Sequence, residues 1–376
     1  MSVRTGRWMA AVCALAVWAS AGAAWGFQIL TPASEPCHER LMLGALDLAS
    51  APFSAEDDTS LAPLLDTMVA EVERHGFPND KATRGFVRDV AELYGFEHLT
   101  GARRYVVASF IIGVRAPDTD GFAVVQLNEV RTTHIDDDKQ GVHSLRRSFD
   151  DGPEGNLEAI VNTQEELKTR FEEMSALWRA DDPFIKARWT FPFYGEAEVW
   201  VYGPAMRLGE MAHTTQDAFT HTLRDADLQI VTVLNFVDPV LARDKEGRDG
   251  LPHSDRLDEC DVPGDDFDVV RVTAARLATV DLLNEAFLAL EAAHSQGGPV
   301  DGAALDPALG RIYRYRPGCE ASNAYCDTTW LGPAREGFTE PIRLWFCSAR
   351  AATPLPMSMW ILVLSCCALY LRRQRR

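Results

Sequence analysis

Residues 203–223 have the sequence GPAMRLGEMAHTTQDAFTHTL, and this stretch decides which fold we expect. Its apolar residues recur at the three- and four-residue spacing of an amphipathic helix, and Pro204 suits a first helical turn. His213, Asp217 and His221 follow one another at four-residue intervals, so a continuous helix places two imidazoles and a carboxylate on one face. Because these groups are common zinc ligands, the spacing predicts a metal-binding helix. A buried helix with two hydrogen-bonded histidines is the alternative.

The rest of the central chain shows the same helical periodicity, and we predict an all-α fold. The predicted helices cover residues 39–49, 61–75, 81–94, 156–178, 204–221 and 269–294. The β-branched stretch LQIVTVLNFV, residues 228–237, indicates either a short strand or a buried connection. We expect a helical metal-binding domain over residues 25–300 and a small, loop-rich, disulfide-containing lobe over residues 301–351.

The first 24 residues have the composition of a secretory signal peptide. Two arginines precede the apolar run 8–18, and small residues follow it. Cleavage after Ala24 makes Trp25 the first residue of the mature protein. Cleavage one residue earlier or two residues later also fits, and a retained signal anchor is the alternative.

Residues 352–376 form a second terminal signal, in which prolines, an apolar run over 357–371 and four arginines follow one another. The positive-inside rule places the arginines in the cytoplasm and the main domain on the other side of a membrane. This ending resembles the tripartite sorting signals of some Gram-negative bacteria, which implies a sorting protease as a partner and removal of the tail. We therefore predict an exported protein, in the periplasm, at the cell surface or secreted. A hydrophobic anchor that is retained in the membrane is the alternative.

The chain is strongly acidic, with 37 basic and 55 acidic residues and a net charge of −18. Six of the basic residues and none of the acidic ones lie in the two terminal segments, which leaves −24 for the rest. Such a surface repels polyanions, so binding to DNA or RNA requires bound cations. A halophilic or merely soluble acidic surface is the preferred explanation of the excess.

Five of the eight cysteines lie between the terminal segments: Cys37, Cys260, Cys319, Cys326 and Cys347. An oxidising compartment allows disulfides, and Cys319 and Cys326 are placed to close a short loop. The odd number leaves the remaining pairing open.

Three further histidines lie in polar surroundings. His38 precedes a predicted helix, His143 follows an acidic loop, and His253 shares a polar loop with Asp258. His134 has no partner that the sequence identifies.

Together these features resemble the superfamily of zinc-dependent phospholipases C and single-strand nucleases, and most closely its bacterial Het-C-like branch. The resemblance is carried by AWGF around Trp25, by His38 near the first helix, by His143 with the following Leu-Arg, and by HTTQDAFTH at 213–221. The interval of four residues between the aspartate and the last histidine matches the Het-C-like branch, whereas the phospholipases and nucleases have a longer one.

The resemblance implies a helical bundle of the phospholipase C type and a cluster of about two to three zinc ions. Asp118 is preferred to Asp120 as the early aspartate, and His253 with Asp258 supplies the last pair. Asp217 is the expected bridge between ions, and Asp118 the expected general base, so both are predicted catalytic residues. The full predicted ligand set is Trp25, His38, Asp118, His143, His213, Asp217, His221, His253 and Asp258.

Clustered zinc ions activate water and bind phosphate oxygens. The predicted function is therefore an exported zinc-dependent phosphodiesterase, acting on a phospholipid or, as the second option, on a nucleic acid. The sequence offers no Ser-His-Asp signature, glycine-rich phosphate loop or HExxH pair, so a serine hydrolase or a zincin has no support. A non-catalytic, surface-displayed structural or interaction protein, stabilised by its metal, is the alternative function.

Overall fold

Helices account for most of the residues that the structure describes. The computed structural model describes residues 36–48, 60–122, 133–191, 194–235, 251–260, 266–296 and 300–338. The helices are α1 (Cys37–Ala45), α2 (Ala62–His75), α3 (Lys81–Tyr94), α4 (Gly101–Thr119), α5 (Gly152–Trp178), α6 (Gly203–Asp217), α7 (Asp255–Asp258), α8 (Asp266–Gln296), α9 (Asp306–Ile312) and α10 (Leu331–Glu336). Short 3-10 helices span Asp137–His143, Gly302–Leu305 and Ala321–Asn323, and a left-handed turn spans Ala324–Asp327. The prediction of a mostly helical protein is confirmed.

Helices α4 and α6 pack against each other at the centre and carry the site described below. Their backbones approach so closely that only glycine fits at two contact positions. A Cβ atom on Gly113 would lie 2.0 Å from the carbonyl oxygen of Met206, and one on Gly209 would lie 2.4 Å from that of Phe110. Helices α1, α5 and α8 also contact α6, so that α6 is buried along its whole length.

Two antiparallel hairpins complete the fold. Strand β1 (Phe184–Phe191) pairs with β2 (Tyr194–Tyr202), and β3 (Thr222–Arg224) pairs with β4 (Ile230–Val233). Strand β4 lies within the β-branched stretch 228–237, for which the sequence offered a short strand as one interpretation. The first hairpin was not predicted from the sequence. In its strand β1, Ala187 and Trp189 are buried while Lys186 and Arg188 are exposed. This alternation has the period of two that is typical of a half-buried strand.

Some helix boundaries differ from the predicted ones. Helix α3 covers the predicted residues 81–94, and α5 begins at Gly152 rather than 156. Helix α4 is not among the predicted helices, although residues 106–112 of its sequence are apolar apart from one serine. The predicted helix 204–221 is wrong at its end, because α6 stops at Asp217. There the chain turns into β3, and the carbonyl oxygen of His221 accepts a hydrogen bond from Leu234 N at 2.8 Å.

Two disulfides join described residues. Cys319–Cys326 is the short loop closure that the sequence suggested, and Cys37–Cys260 links α1 to the segment after α7. Disulfides of this kind form in oxidising compartments, in agreement with export. Leu305, Leu309 and Trp330 contribute to the same buried core as the preceding helices.

Several predictions concern residues outside the described part of the chain: the signal peptide 1–24, Trp25, Cys347 and the tail 352–376. Among the helices that the structure does describe, none is long and apolar enough to cross a bilayer.

Candidate metal centre

Eight of the nine predicted ligands come together in the protein interior; the ninth, Trp25, lies outside the described residues. They are His38 on α1, Asp118 on α4, His143 on a 3-10 helix, His213 and Asp217 on α6, His221 before β3, His253 before α7, and Asp258 on α7. Each side chain is at most 1% exposed. Elements distant in sequence therefore bring ionisable groups into one buried volume, which is costly unless opposite charges or a cation balance them.

The carboxylate of Asp217 lies at the centre of this group. Its Oδ1 lies 3.2 Å from Nε2 of His38, and its Oδ2 lies 3.0 Å from Nε2 of His213 and 3.1 Å from Nδ1 of His143. Burial raises the pKa of Asp217, but His213 and His221 outweigh that effect and hold the pKa well below its usual range. Asp217 is therefore a carboxylate at neutral pH, shared by three imidazoles.

Asp118 provides the second carboxylate. Its Oδ1 lies 3.1 Å from Nε2 of His134, 3.6 Å from Nε2 of His213 and 3.9 Å from Nδ1 of His143. Burial raises its pKa, but His213 and His134 together bring it down to about 2. Asp120, the alternative in the sequence, is exposed and lies 3.4 Å from Nζ of Lys139 instead.

His134 is the residue of this centre that the sequence analysis missed. It is buried, bonds to Asp118, and its ring stacks on that of His143 with 4.4 Å between centroids. The one signal available in the sequence was that His134 and His143 flank the same acidic segment, DDDKQG. Nothing in that segment identifies Asp118 as the partner, because the contact is tertiary.

A further group lies beside the first. Nε2 of His253 lies 3.1 Å from Nε2 of His221 and 3.3 Å from Oδ1 of Asp258. Burial, with a smaller contribution from His253, lowers the pKa of His221 to about 3, although Asp217 opposes the shift. The imidazole of His221 is thus neutral at physiological pH, as a metal ligand requires. Asp258 was expected in a loop, but it ends the short helix α7.

Outer hydrogen bonds orient the imidazoles of the centre. Nδ1 of His213 donates to the carbonyl oxygen of Val114 at 2.9 Å, and Nδ1 of His38 donates to Oε1 of Gln216 at 2.7 Å. Nδ1 of His221 donates to the carbonyl oxygen of His143. With Nδ1 engaged outward, Nε2 of each ring faces the carboxylates or the neighbouring imidazole. Metal-ligating histidines are fixed in this way by their second nitrogen.

Several buried atoms of the centre converge without forming hydrogen bonds. Among the described residues, Nε2 of His213, Oδ2 of Asp118 and Oδ1 of Asp217 form no hydrogen bond, although the first and the last lie within 3.2 Å of an ion-pair partner. Buried polar atoms are normally satisfied, so these three require another explanation. Ligand atoms around one tetrahedral zinc ion lie about 3.3 Å apart, close to the separations found here. The residues present therefore fit a metal ion.

Three overlapping sets of residues and one separate set could hold such an ion, each offering ligand atoms within 4.8 Å of one another. The sets are His38–Asp118–His213, Asp118–His134–His143, His143–His213–Asp217 and His221–His253–Asp258. Burial lowers the pKa of His213, but Asp217 and Asp118 outweigh it and raise the pKa.

A cavity of about 570 Å³ reaches the metal centre from outside. His143 and Thr214 form part of its wall, together with the end of α4 and strand β1. Of the ligand-type residues described above, His143 is the one that lines this cavity.

No family model, no curated protein and no solved structure matches this chain. The resemblance to zinc-dependent phospholipases C therefore stays a prediction from the residues themselves.

Proposed function

We propose that the protein is an exported zinc-dependent phosphodiesterase with a helical bundle of the phospholipase C type. One observation carries the proposal: a buried carboxylate, that of Asp217, lies within 3.2 Å of a ring nitrogen on each of three histidines. Buried charges are normally paired or coordinate a metal, and imidazole and carboxylate groups at these separations suit zinc ligands.

The predicted ligands would form two groups around the zinc ions. His38, Asp118, His143, His213 and Asp217 would hold the main ions, and His221, His253 and Asp258 would hold the adjacent one. The main-chain amino and carbonyl groups of Trp25 would complete the set if cleavage follows Ala24. Zinc, when bound, supplies Lewis acidity toward phosphate oxygens and lowers the pKa of a bound water. A count of about two to three ions fits these residue sets.

Asp118 is suited to orient the attacking water. Its Oδ1 faces His134 and His213, while its Oδ2 has no hydrogen-bond partner among the described residues. Because its pKa is about 2, Asp118 is ionised at neutral pH and accepts a hydrogen bond rather than storing a proton. Asp217, whose two oxygens each lie within 3.2 Å of an imidazole nitrogen, would fix the geometry instead.

A phospholipid is the favoured substrate, since the net charge of −18 disfavours approach of a polynucleotide.

The direct test measures metal content and hydrolysis on the same purified protein. The wild type should contain about two to three zinc ions per chain and release phosphorylated headgroups from phospholipid vesicles. The double variant His213→Ala, Asp217→Ala should lose both, and Asp66→Asn, an exposed aspartate on α2, is the matched control. Unchanged zinc content in the double variant refutes the proposal, and digestion of single-stranded DNA without lipid hydrolysis moves the substrate to nucleic acid.

A second candidate is a non-catalytic protein that its metal stabilises. The observation in its favour is the near-complete burial of every described ligand side chain. Under this alternative, zinc-loaded protein is inert toward phospholipids and other phosphodiesters, while chelation still lowers its melting temperature.

A further inference from the structure

Basic side chains outnumber acidic ones in the lining of the cavity beside the metal centre. Six basic and two acidic side chains line it, in a chain with 37 basic and 55 acidic residues. The basic residues are Arg115, Lys139, Arg170, Lys186, Arg188 and Arg207, and the acidic ones are Asp120 and Glu210. A concave surface with an excess of one charge concentrates ligands of the opposite charge.

Some of these cations have structural partners. Nη1 of Arg115 donates to Oε1 of Glu39 at 2.6 Å, and Nε of Arg170 donates to Oε1 of Glu166 at 2.7 Å. Nη1 of Arg207 donates to both carboxylate oxygens of Glu210. Nζ of Lys186 lies 3.3 Å from Oε2 of Glu198, so carboxylates balance all four of these cations, which shape the wall of the cavity.

Lys139 and Arg188 are better placed to recognise a ligand. Nζ of Lys139 lies 3.4 Å from Oδ2 of Asp120, and the two side chains are 41% and 62% exposed. An exposed ion pair contributes little stability, so an anionic ligand replaces it at small cost. Lys139 also lies one turn before His143 on the same 3-10 helix, and both residues line the cavity.

Arg188 lies on strand β1 and lines the same cavity. Its guanidinium lies 5.2 Å from the ring centroid of Phe122. A Cβ atom on Gly121 would lie 2.7 Å from the Cβ of Arg188, so the strand closely contacts the end of α4. The side chain is exposed and enters the same cavity as Lys139 and His143.

We infer that this cavity binds the headgroup of the substrate, and that the headgroup carries a second anionic group besides the scissile phosphodiester. The inference rests on the proposed function. A volume of about 570 Å³ suits a small ligand. The acidic surface of the whole chain favours a headgroup over a polynucleotide strand.

The test is titration calorimetry on the zinc-loaded, full-length protein with soluble headgroups that a phosphodiesterase does not cleave. The probes are inositol 1,4-bisphosphate, inositol 1-phosphate and phosphocholine. The bisphosphate should bind about tenfold more tightly than the monophosphate, and phosphocholine should bind most weakly. Equal affinity for the two inositol phosphates overturns the inference.

Variants then locate the binding site. Lys139→Gln and Arg188→Gln should each weaken the bisphosphate about tenfold with zinc content unchanged. Lys81→Gln, an exposed lysine on α3 that does not line this cavity, is the matched control and should bind like the wild type. Wild-type affinity in both cavity variants overturns the inference, because the second charge is then bound elsewhere.

Thymidine 3′,5′-bisphosphate distinguishes a lipid headgroup from a nucleic acid as the source of a doubly charged ligand. Weaker binding than inositol 1,4-bisphosphate supports the headgroup, and tighter binding overturns it in favour of a nucleic acid. Failure of the proposed function gives a different result: no phosphodiester is hydrolysed, yet binding keeps its preference for two charges and its sensitivity to Lys139 and Arg188.

Discussion

Replacing Asp217 with asparagine tests the metal centre with the smallest change of shape. The substitution keeps the volume of the side chain but removes the negative charge that three buried imidazoles share. An amide is a poor bridge between cations, since it offers one neutral oxygen where the carboxylate offers two charged ones. Asp217→Asn should therefore abolish tight zinc binding rather than merely weaken the fold.

The expected magnitude follows from binding linkage. A ligand at about 1,000 times its dissociation constant stabilises the folded state by about 4.1 kcal/mol. For a domain of this size each kcal/mol raises the melting temperature by about 2 °C. The wild type should thus melt about 8 °C higher with zinc than with a chelator, and Asp217→Asn should show less than about 2 °C.

Differential scanning calorimetry of both proteins, with zinc and with chelator, provides the measurement. Comparing each protein with itself removes any effect of the substitution on the metal-free fold. Asp66→Asn, at an exposed position on α2, should keep the full shift. A full zinc-dependent shift in Asp217→Asn would show that Asp217 is not a ligand, and the proposed bridge would be refuted.

Three further predictions concern the scaffold and its pH dependence. Gly113→Ala places a Cβ against the backbone of α6 and should lower the free energy of unfolding by about 1–3 kcal/mol or more. Gly85→Ala, in open space on α3, should raise it by about 0.5–1 kcal/mol; equal effects in urea denaturation would contradict the close packing of α4 and α6. Replacing Cys37 and Cys260 with alanines should cost about 2–5 kcal/mol, and an unchanged denaturation midpoint would contradict a structural disulfide. The folded pKa of His221, about 3, lies below the usual 6.5, so between these values the unfolded chain binds the extra proton. Stability of the metal-free protein should therefore fall as pH falls below about 6.5, by about 1.4 kcal/mol per pH unit from this group. His221→Asn should remove that part of the slope, and an identical pH profile in the variant would contradict it.

Local patterns were enough to predict the helical class and much of the centre. His213 and Asp217 are neighbours on one helix, so the four-residue interval predicted their shared direction directly. The preference for Asp118 over Asp120 agrees with the structure because Asp118 follows the apolar run of α4 into the interior. Asp120, beyond the end of that helix, faces solvent.

Contacts between distant segments could not be predicted in the same way. His221 reaches the centre from a turn and not from the predicted helix, because pairing of β3 with β4 competes with further helical turns. His134 meets Asp118 through tertiary packing of the segment that precedes the 3-10 helix. Neither contact has a fixed sequence interval that a periodic pattern could show.

The missed hairpin has a different cause. Alternation of buried and exposed residues is present over 186–189, but aromatic and charged residues there also suit a connecting loop. A two-stranded hairpin is marginal alone and forms here because α3 and α4 cover its apolar face. The omission matters for function, since β1 carries Lys186 and Arg188 into the cavity beside the metal centre.

The central claim is that the buried histidines and aspartates around Asp217 are metal ligands. Anomalous diffraction at the zinc absorption edge, on crystals of the exported protein, tests it most directly. We expect anomalous peaks within about 2.0–2.2 Å of Asp217, His213 and Asp118. Crystals of zinc-supplemented protein that show no anomalous density at these side chains would contradict the account.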